Sequence, residues 1–363
     1  MRVLIDATSL LLRSAGVKSY TYHWIRGLRE IAGPDSIRAF PFLGDLSQLT
    51  HERSVLTPSE TWLRLAMLYA ANAPGAPLLD WVSRNADIFH VSNQLRRNIP
   101  KRRKITATVH DLTCWLMPEL HTPANVRADR FFAENTLMKA DGLIAVSENT
   151  RQDAIRILRI APEKIQTIYS GIPDEYFNAA PMVRAKPYLL FVGTIEPRKN
   201  LDVLLDAWKS MRHRDDHDLL IAGPPGWAAE KTLARLDAGE PGVTYLGYVS
   251  EQEMPSLTAG AAAFVYPSLY EGFGFPVAQA MAAGVPVVTS NNSCLPEIAG
   301  EGGIFVDPRS VGEISAVVEK LLESESLRAK MGTAGRQRAA RYRWPSCARD
   351  SLTFFKEVSQ RGT

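Results

Sequence analysis

The chain has 363 residues, 45% hydrophobic and 22% charged, with 24 Gly and 23 Pro. Such near-average usage excludes disordered, collagen-like and coiled-coil chains, and at roughly 150 residues per domain the length predicts two domains. The net charge is +3, yet residues 1–180 hold 22 Lys/Arg against 18 Asp/Glu and the remainder 20 against 21, so any basic surface belongs to the N-terminal half.

Short apolar runs alternate with helical patterns from end to end. In the first half Val3–Ile5, Ile88–Val91, Ile105–Val109 and Gly142–Val146 read as strands. Between the first two, Val17, Tyr20, Trp24, Leu28 and Ile31 form the stripe of an amphipathic helix over Gly16–Ile31. Ser147 offers a capped start for a helix through about Leu158. The stretch Gly171–Pro187, with three prolines and no periodicity, reads as an interdomain linker. Beyond it lie strands Tyr188–Val192, Leu219–Ala222, Val243–Leu246, Ala263–Tyr266, Val285–Thr289 and Gly303–Val306, separated by helical patterns such as Leu201–Met211 and Pro276–Ala283.

This alternation predicts an α/β chain of two doubly wound, Rossmann-like domains with parallel sheets, facing each other across a cleft. The first domain is expected over residues 1–175, the linker over 176–186 and the second domain over 187–342. A final helix, about 345–360, has no obvious place on the second sheet and is left to cross back to the first domain.

Three scattered cysteines, Cys114, Cys294 and Cys347, fit reduced thiols in a cytosolic protein. The N-terminus reaches Asp6 after three apolar residues, too short for a signal peptide, and no apolar run of about 18 residues exists to span a bilayer. A cytoplasmic chain is expected, with room for peripheral contact at the inner membrane face.

Two stretches carry chemistry. In Tyr266–Gly300 a strand ends, a loop holds Glu271-Gly272-Phe273-Gly274, and a helix starts around Phe275-Pro276. Glycines 272 and 274 admit a ligand close to backbone N–H groups, and the helix N-terminus favours an anion. Glu271 beside that site suits the hydroxyls of a sugar attached to a phosphate, although a solvated loop acid reads equally well from the tetrapeptide alone. In Phe191–Leu201 a strand ends at Gly193, followed by Thr194 and then by Arg198 and Lys199 just before a helix. Cations are disfavoured at a helix N-terminus, so this pair points to a diphosphate rather than to an exposed first turn.

Together, VGTIEPRKNLDVLLDAW, YPSLYEGFGFPVAQAMAAGVPVV and SCLPEIAG resemble the retaining glycosyltransferases of family 4, the bacterial mannosyltransferase-like group with the two-domain GT-B fold. The likeness extends to the loop Arg13–Tyr20, the strand end Val109-His110-Asp111-Leu112, Ala145-Val146-Ser147-Glu148 and Tyr169-Ser170-Gly171-Ile172. The resemblance implies that Arg198 and Lys199 hold the donor diphosphate, with Gly193 and Thr194 beside them. It implies that Glu271 accepts donor-sugar hydroxyls, and that amides of Gly272, Phe273, Gly274 and Phe275 contact sugar and phosphate. Gly16 is implied near the donor phosphate and His110 near the reacting sugar, with Tyr20, His110 and Asp111 on the acceptor side. Two positions depart from the family pattern: Gln279 stands where a second glutamate binds the ribose, and Thr194 where many relatives carry an arginine.

The expected function is therefore transfer of a hexose, mannose first, from a nucleotide-diphosphate sugar such as GDP-mannose to a hydroxyl of a glycan or lipid-linked glycan in bacterial surface polysaccharide synthesis. No cofactor is implied beyond that co-substrate. A non-catalytic sugar-nucleotide-binding subunit and a sugar-nucleotide epimerase are the alternatives. The one Asp-x-Asp match, Asp216-His217-Asp218, precedes a strand and so sits at the wrong end of the sheet for a metal site; no metal is required. The run Arg96–Lys104 holds six cations in nine residues. It reads as a solvated loop or, more sharply, as attraction to anionic lipid headgroups, with Trp62, Leu63, Leu65, Met67, Leu68 and Tyr69 as an interfacial apolar surface. Nothing marks a nucleic-acid reader.

Overall fold

The computed structural model describes residues 1–11, 15–42, 58–73, 78–93 and 98–361. Arg13, Ser14, Arg96 and Arg97 of the motifs above lie outside these residues, as do the side chains of Trp62 and Leu65. The chain divides into two units: Met1–Gly171 with Arg343–Thr363, and Ile172–Tyr342.

The first unit is a six-stranded, wholly parallel sheet in the order β2-β1-β3-β4-β5-β6. Its strands are β1 (Val3–Asp6), β2 (Ile37–Phe40), β3 (Ile88–Val91), β4 (Lys104–Val109), β5 (Gly142–Ala145) and β6 (Ile165–Thr167). Two of them, β2 and β6, are absent from the sequence reading. They are the two edge strands, and Arg38 and Gln166 interrupt their apolar runs.

Helix α1 (Ala15–Ala32) buries Tyr20, Trp24 and Leu28 completely, whereas Ile31, expected on the same stripe, is exposed. Further on come α2 (Pro58–Asn72), α3 (Leu78–Val82) and α4 (Glu148–Leu158). Ser147 caps α4 as expected, its Oγ accepting from the Thr150 amide at 3.1 Å. The C-terminal helix, Trp344–Gln360, lies against α1: the Trp24 indole donates to Ser351 Oγ at 2.9 Å. Gly27 faces the same helix, where a Cβ would stand 3.4 Å from that of Ala348, in ordinary contact.

The second unit repeats the plan, with the parallel order β12-β11-β10-β7-β8-β9. Its strands are β7 (Tyr188–Val192), β8 (Asp218–Ala222), β9 (Val243–Gly247), β10 (Ala263–Tyr266), β11 (Val287–Ser290) and β12 (Gly303–Val306). The strands β7, β10 and β11 are almost entirely buried, as expected of strands covered on both faces. Two helices matter for the site, α5 (Leu201–Ser210) and α6 (Phe275–Ala282). The Pro-rich stretch after Gly171 packs within this unit: Tyr176 and Phe177 are buried, and the Met182 amide donates to Ser256 O at 2.9 Å.

Candidate donor site

Strands β7 and β10 are parallel neighbours, so the loops at their carboxyl ends emerge side by side. The first loop runs from Gly193 through a tight turn, Pro197–Lys199, to Asn200, which takes the left-handed conformation with φ 59° before α5 begins. Arg198 and Lys199 therefore precede the helix instead of forming its first turn. The Asn200 side-chain Nδ2 donates to Pro267 O (3.0 Å) and Pro308 O (2.6 Å), tying this loop to the end of β10.

The second loop runs from Pro267 to Gly274. Its main chain is held by short polar side chains: Ser290 Oγ donates to Ser268 O (2.6 Å), Asn292 to Leu269 O (3.1 Å), and the Glu271 amide donates to Ser293 Oγ (3.2 Å). Gly274 sits at φ 80°, and a Cβ there would stand 2.8 Å from Leu295 Cδ2, so both conformation and space require glycine before α6.

The two loops meet in a buried cluster of charges. Lys199 Nζ lies 2.6 Å from Glu271 Oε1, and an Arg198 guanidinium nitrogen 3.0 Å from Oε2. Arg198 also contacts Glu196 (2.7 Å) and donates to Tyr270 O (2.6 Å). Tyr266 OH (3.0 Å) and Ser268 Oγ (2.6 Å) donate to the same Glu271 oxygen. Burial alone would push the Glu271 carboxyl up; the charges of Arg198 and Lys199, with these hydrogen bonds, hold it down at about 2. Glu196 is pushed the other way, raised by burial more than the two cations lower it. Two cations and two acids thus share a buried site at the end of the sheet where doubly wound folds bind ligands.

Sequence reading singled out Arg198, Lys199 and Glu271 but took the cations as waiting for a ligand and the acid as facing hydroxyls. The structure pairs them with one another. Glu196 went unassigned although its position beside Pro197-Arg198-Lys199 was a visible signal; Tyr266, Ser268 and Ser293 gave none.

Residues 174–338 match the family of glycosyl transferases group 1, and residues 14–176 match Glycosyltransferase Family 4. The O-antigen chain mannosyltransferase B of Escherichia coli is 32% identical over 282 residues, covering 74% of this chain and 72% of that protein. The chain belongs to the family 4 glycosyltransferases. Solved structures share its GT-B fold: sucrose-phosphate synthase from Thermosynechococcus elongatus superposes with TM-score 0.75 at 18% identity, covering 98% of each chain. Anabaena HepE in complex with UDP-glucose gives 0.72 at 17% identity, covering 98% of this chain and 99% of that one.

The other positions expected on the donor side of this glycosyltransferase lie on the same two loops and on α6. Gly193 and Thr194 are half-buried, and their loop pairs with the next one: the Ile195 amide donates to Pro224 O and the Gly226 amide to Ile195 O, both at 2.9 Å. Gly272 and Phe273 are buried, the latter edge-on to Phe275 and Tyr342. Gln279 lies one turn into α6, half-buried, with its side-chain amide bonded to none of the described residues.

Other expected residues belong to the first unit. Gly16 is exposed in the first turn of α1. His110 follows β4; burial lowers its imidazole to about 4, and Nε2 has no partner among the described residues. Tyr20, expected on the acceptor side, is wholly buried and meets the His110 ring edge-on at 4.8 Å, so it backs His110. Asp111 accepts from the Thr113 amide (3.0 Å) and hydroxyl (2.7 Å), closing a local turn. Asp218 opens β8, at the end of the sheet opposite Glu271, and Asp216 is exposed. Among the described residues no three His, Cys, Asp or Glu side chains gather as a metal-binding group.

Proposed function

We propose that this glycosyltransferase moves a hexose, mannose first, from a nucleotide-diphosphate sugar to a hydroxyl of a growing bacterial surface glycan or lipid-linked glycan, with retention and without a metal. One observation carries the reading: the buried Arg198–Glu271–Lys199 cluster at the carboxyl end of β7 and β10. The relationship to an O-antigen mannosyltransferase favours mannose over glucose.

In this reading the donor diphosphate takes Arg198 and Lys199 from Glu271, whose freed carboxylate accepts hydroxyls of the sugar. The bond between the anomeric carbon and the diphosphate oxygen breaks while the acceptor oxygen bonds to the same face. The acceptor proton passes to the departing phosphate oxygen. Arg198 and Lys199 stabilise the charge that grows on the leaving group, and because they are buried and already oriented they need little rearrangement to do so. Their two positive charges fill the place a metal takes in other sugar-nucleotide enzymes. Gln279 meets the ribose, donating and accepting where glutamate would only accept. His110, neutral, serves the acceptor side. Three buried cysteines outside any disulfide fit the reducing cytoplasm, where we place the reaction.

The test is nucleotide release from GDP-mannose and UDP-glucose, with and without a lipid-linked glycan acceptor, and with EDTA. GDP released only with acceptor supports the assignment; donor isomerised without acceptor makes the chain an epimerase, and neither makes it a binding subunit. An inverted anomer in the product, or loss of turnover in EDTA, would remove retention or metal independence respectively.

A further inference from the structure

The two acids of the donor site are held very differently. Glu271 is bound by Lys199, Arg198, Tyr266 and Ser268. Glu196 stands in extended backbone just before the turn Pro197–Lys199 and is 6% exposed. One of its oxygens accepts from a guanidinium nitrogen of Arg198 at 2.7 Å. The ionisable groups that bear on it are Arg198, Lys199, Glu271 and Tyr266. The loop after β8 meets its stem at Gly226, where a Cβ would stand 3.4 Å from that of Glu196, and residues Gly223–Ala229 bring no charge there.

Arg198, Lys199, Glu196 and Glu271 together carry no net charge. That balance leaves nothing over for a diphosphate, which brings a negative charge on each phosphate. Excess charge in a buried site is strongly unfavourable, and a proton on a neighbouring acid removes it. Glu271 is the wrong acid for this, since two cations and two hydroxyls hold it ionised. Glu196 is the right one. It is buried, its contact is with Arg198, and burial favours its neutral form more than the cations oppose it.

Resting on the donor reading above, we propose that Glu196 is the proton carrier of the donor site. It releases Arg198 and takes a proton from solvent as the diphosphate enters, and it returns that proton to solvent when the nucleotide leaves. The bond made and later broken is the carboxyl O–H. The guanidinium nitrogen that held Glu196 turns to the phosphate, and an acid that would repel the ligand becomes a hydrogen-bond donor. Donor affinity is thereby linked to pH: the bound state holds more protons, so binding weakens as pH rises.

Calorimetric titration of GDP-mannose and UDP-glucose without acceptor, at neutral pH in PIPES and in Tris, counts the protons. Both donors have a diphosphate esterified at each end and lack the terminal phosphate that titrates near about pH 6, so the proton counted is the protein's. Uptake of about half to one proton per donor is expected, with Kd rising about three- to tenfold per pH unit above neutrality. Glu196→Gln should abolish the uptake and flatten the pH dependence with unchanged circular dichroism. Glu240→Gln, removing an acid paired with Arg235 at the opposite end of the same sheet, should leave the uptake unchanged. Donor binding without proton uptake by the parent overturns this proposal alone and needs no variant. Uptake that survives Glu196→Gln, or is lost equally in Glu240→Gln, also overturns it. Absence of binding by either donor is a different failure, that of the transfer reading, and takes this proposal with it.

Discussion

Replacing Glu271 by glutamine should destabilise the second unit and make it depend on a diphosphate. The carboxyl lies at about 2 against an ordinary 4.5, which corresponds to about 3 kcal/mol favouring the ionised form. Glutamine keeps the shape and the hydrogen bonds from Tyr266 and Ser268, but leaves Arg198 and Lys199 buried with Glu196 alone. At about 2–4 °C per kcal/mol for a unit of this size, the melting temperature at pH 7 should fall by roughly 6–12 °C. Because the folded-state value is depressed, this stability is fully present above about pH 4.5 and disappears as pH falls through 2; the gap between parent and variant should shrink to about half near pH 3. Thermal denaturation with saturating GDP, UDP or pyrophosphate is the decisive arm. A diphosphate supplies the missing anion, so the variant should gain several degrees more from it than the parent. If Glu271→Gln melts with the parent at pH 7, or gains no more from diphosphate, the cluster is not the anion site described here.

Lys199→Ala should lower turnover by about 10²–10³ with an intact fold, as expected for losing one charge-assisted contact to a developing diphosphate; steady-state rates check it. Gln279→Ala should weaken nucleoside diphosphate binding by about 1 kcal/mol, and Gln279→Glu should hold or slightly improve it, read by calorimetric titration. His110→Asn should reduce turnover without altering the pH dependence between 6 and 8, because burial keeps the imidazole neutral down to about pH 4. His90, at about 3, shares that sign. Both histidines protonate more easily when unfolded, so stability should decline as pH drops from about 6.5 towards 4, measurable by urea denaturation.

The two-sheet plan was legible because parallel strands covered on both faces leave unmistakable apolar runs, as in Tyr188–Val192. Strand β2 escaped because Ile37-Arg38-Ala39-Phe40 pairs through its backbone and owes its burial to neighbours. In the donor site the charged residues were visible and their pairing was not. Which partner a buried cation takes depends on two loops 72 residues apart that only strand order brings together. The serines that fix the Glu271 loop are invisible for a simpler reason, since a hydroxyl bonding the main chain looks in sequence like any surface serine.

The first unit is discontinuous in the chain, and that has a bearing on how the protein is made. Synthesis delivers Met1–Gly171 and then all of Ile172–Tyr342 before the last helix exists. The second unit can close as one unbroken segment while the nascent first unit still lacks the partner for Trp24 and Gly27. Gly171 itself sits against the backbone of Trp344, so tightly that a Cβ would fall onto it. The N-terminal half must therefore remain unfinished, without its partner for Trp24, until residues 343–363 leave the ribosome. A ribosome stalled before Arg343 should hold a folded second unit and a protease-sensitive first one.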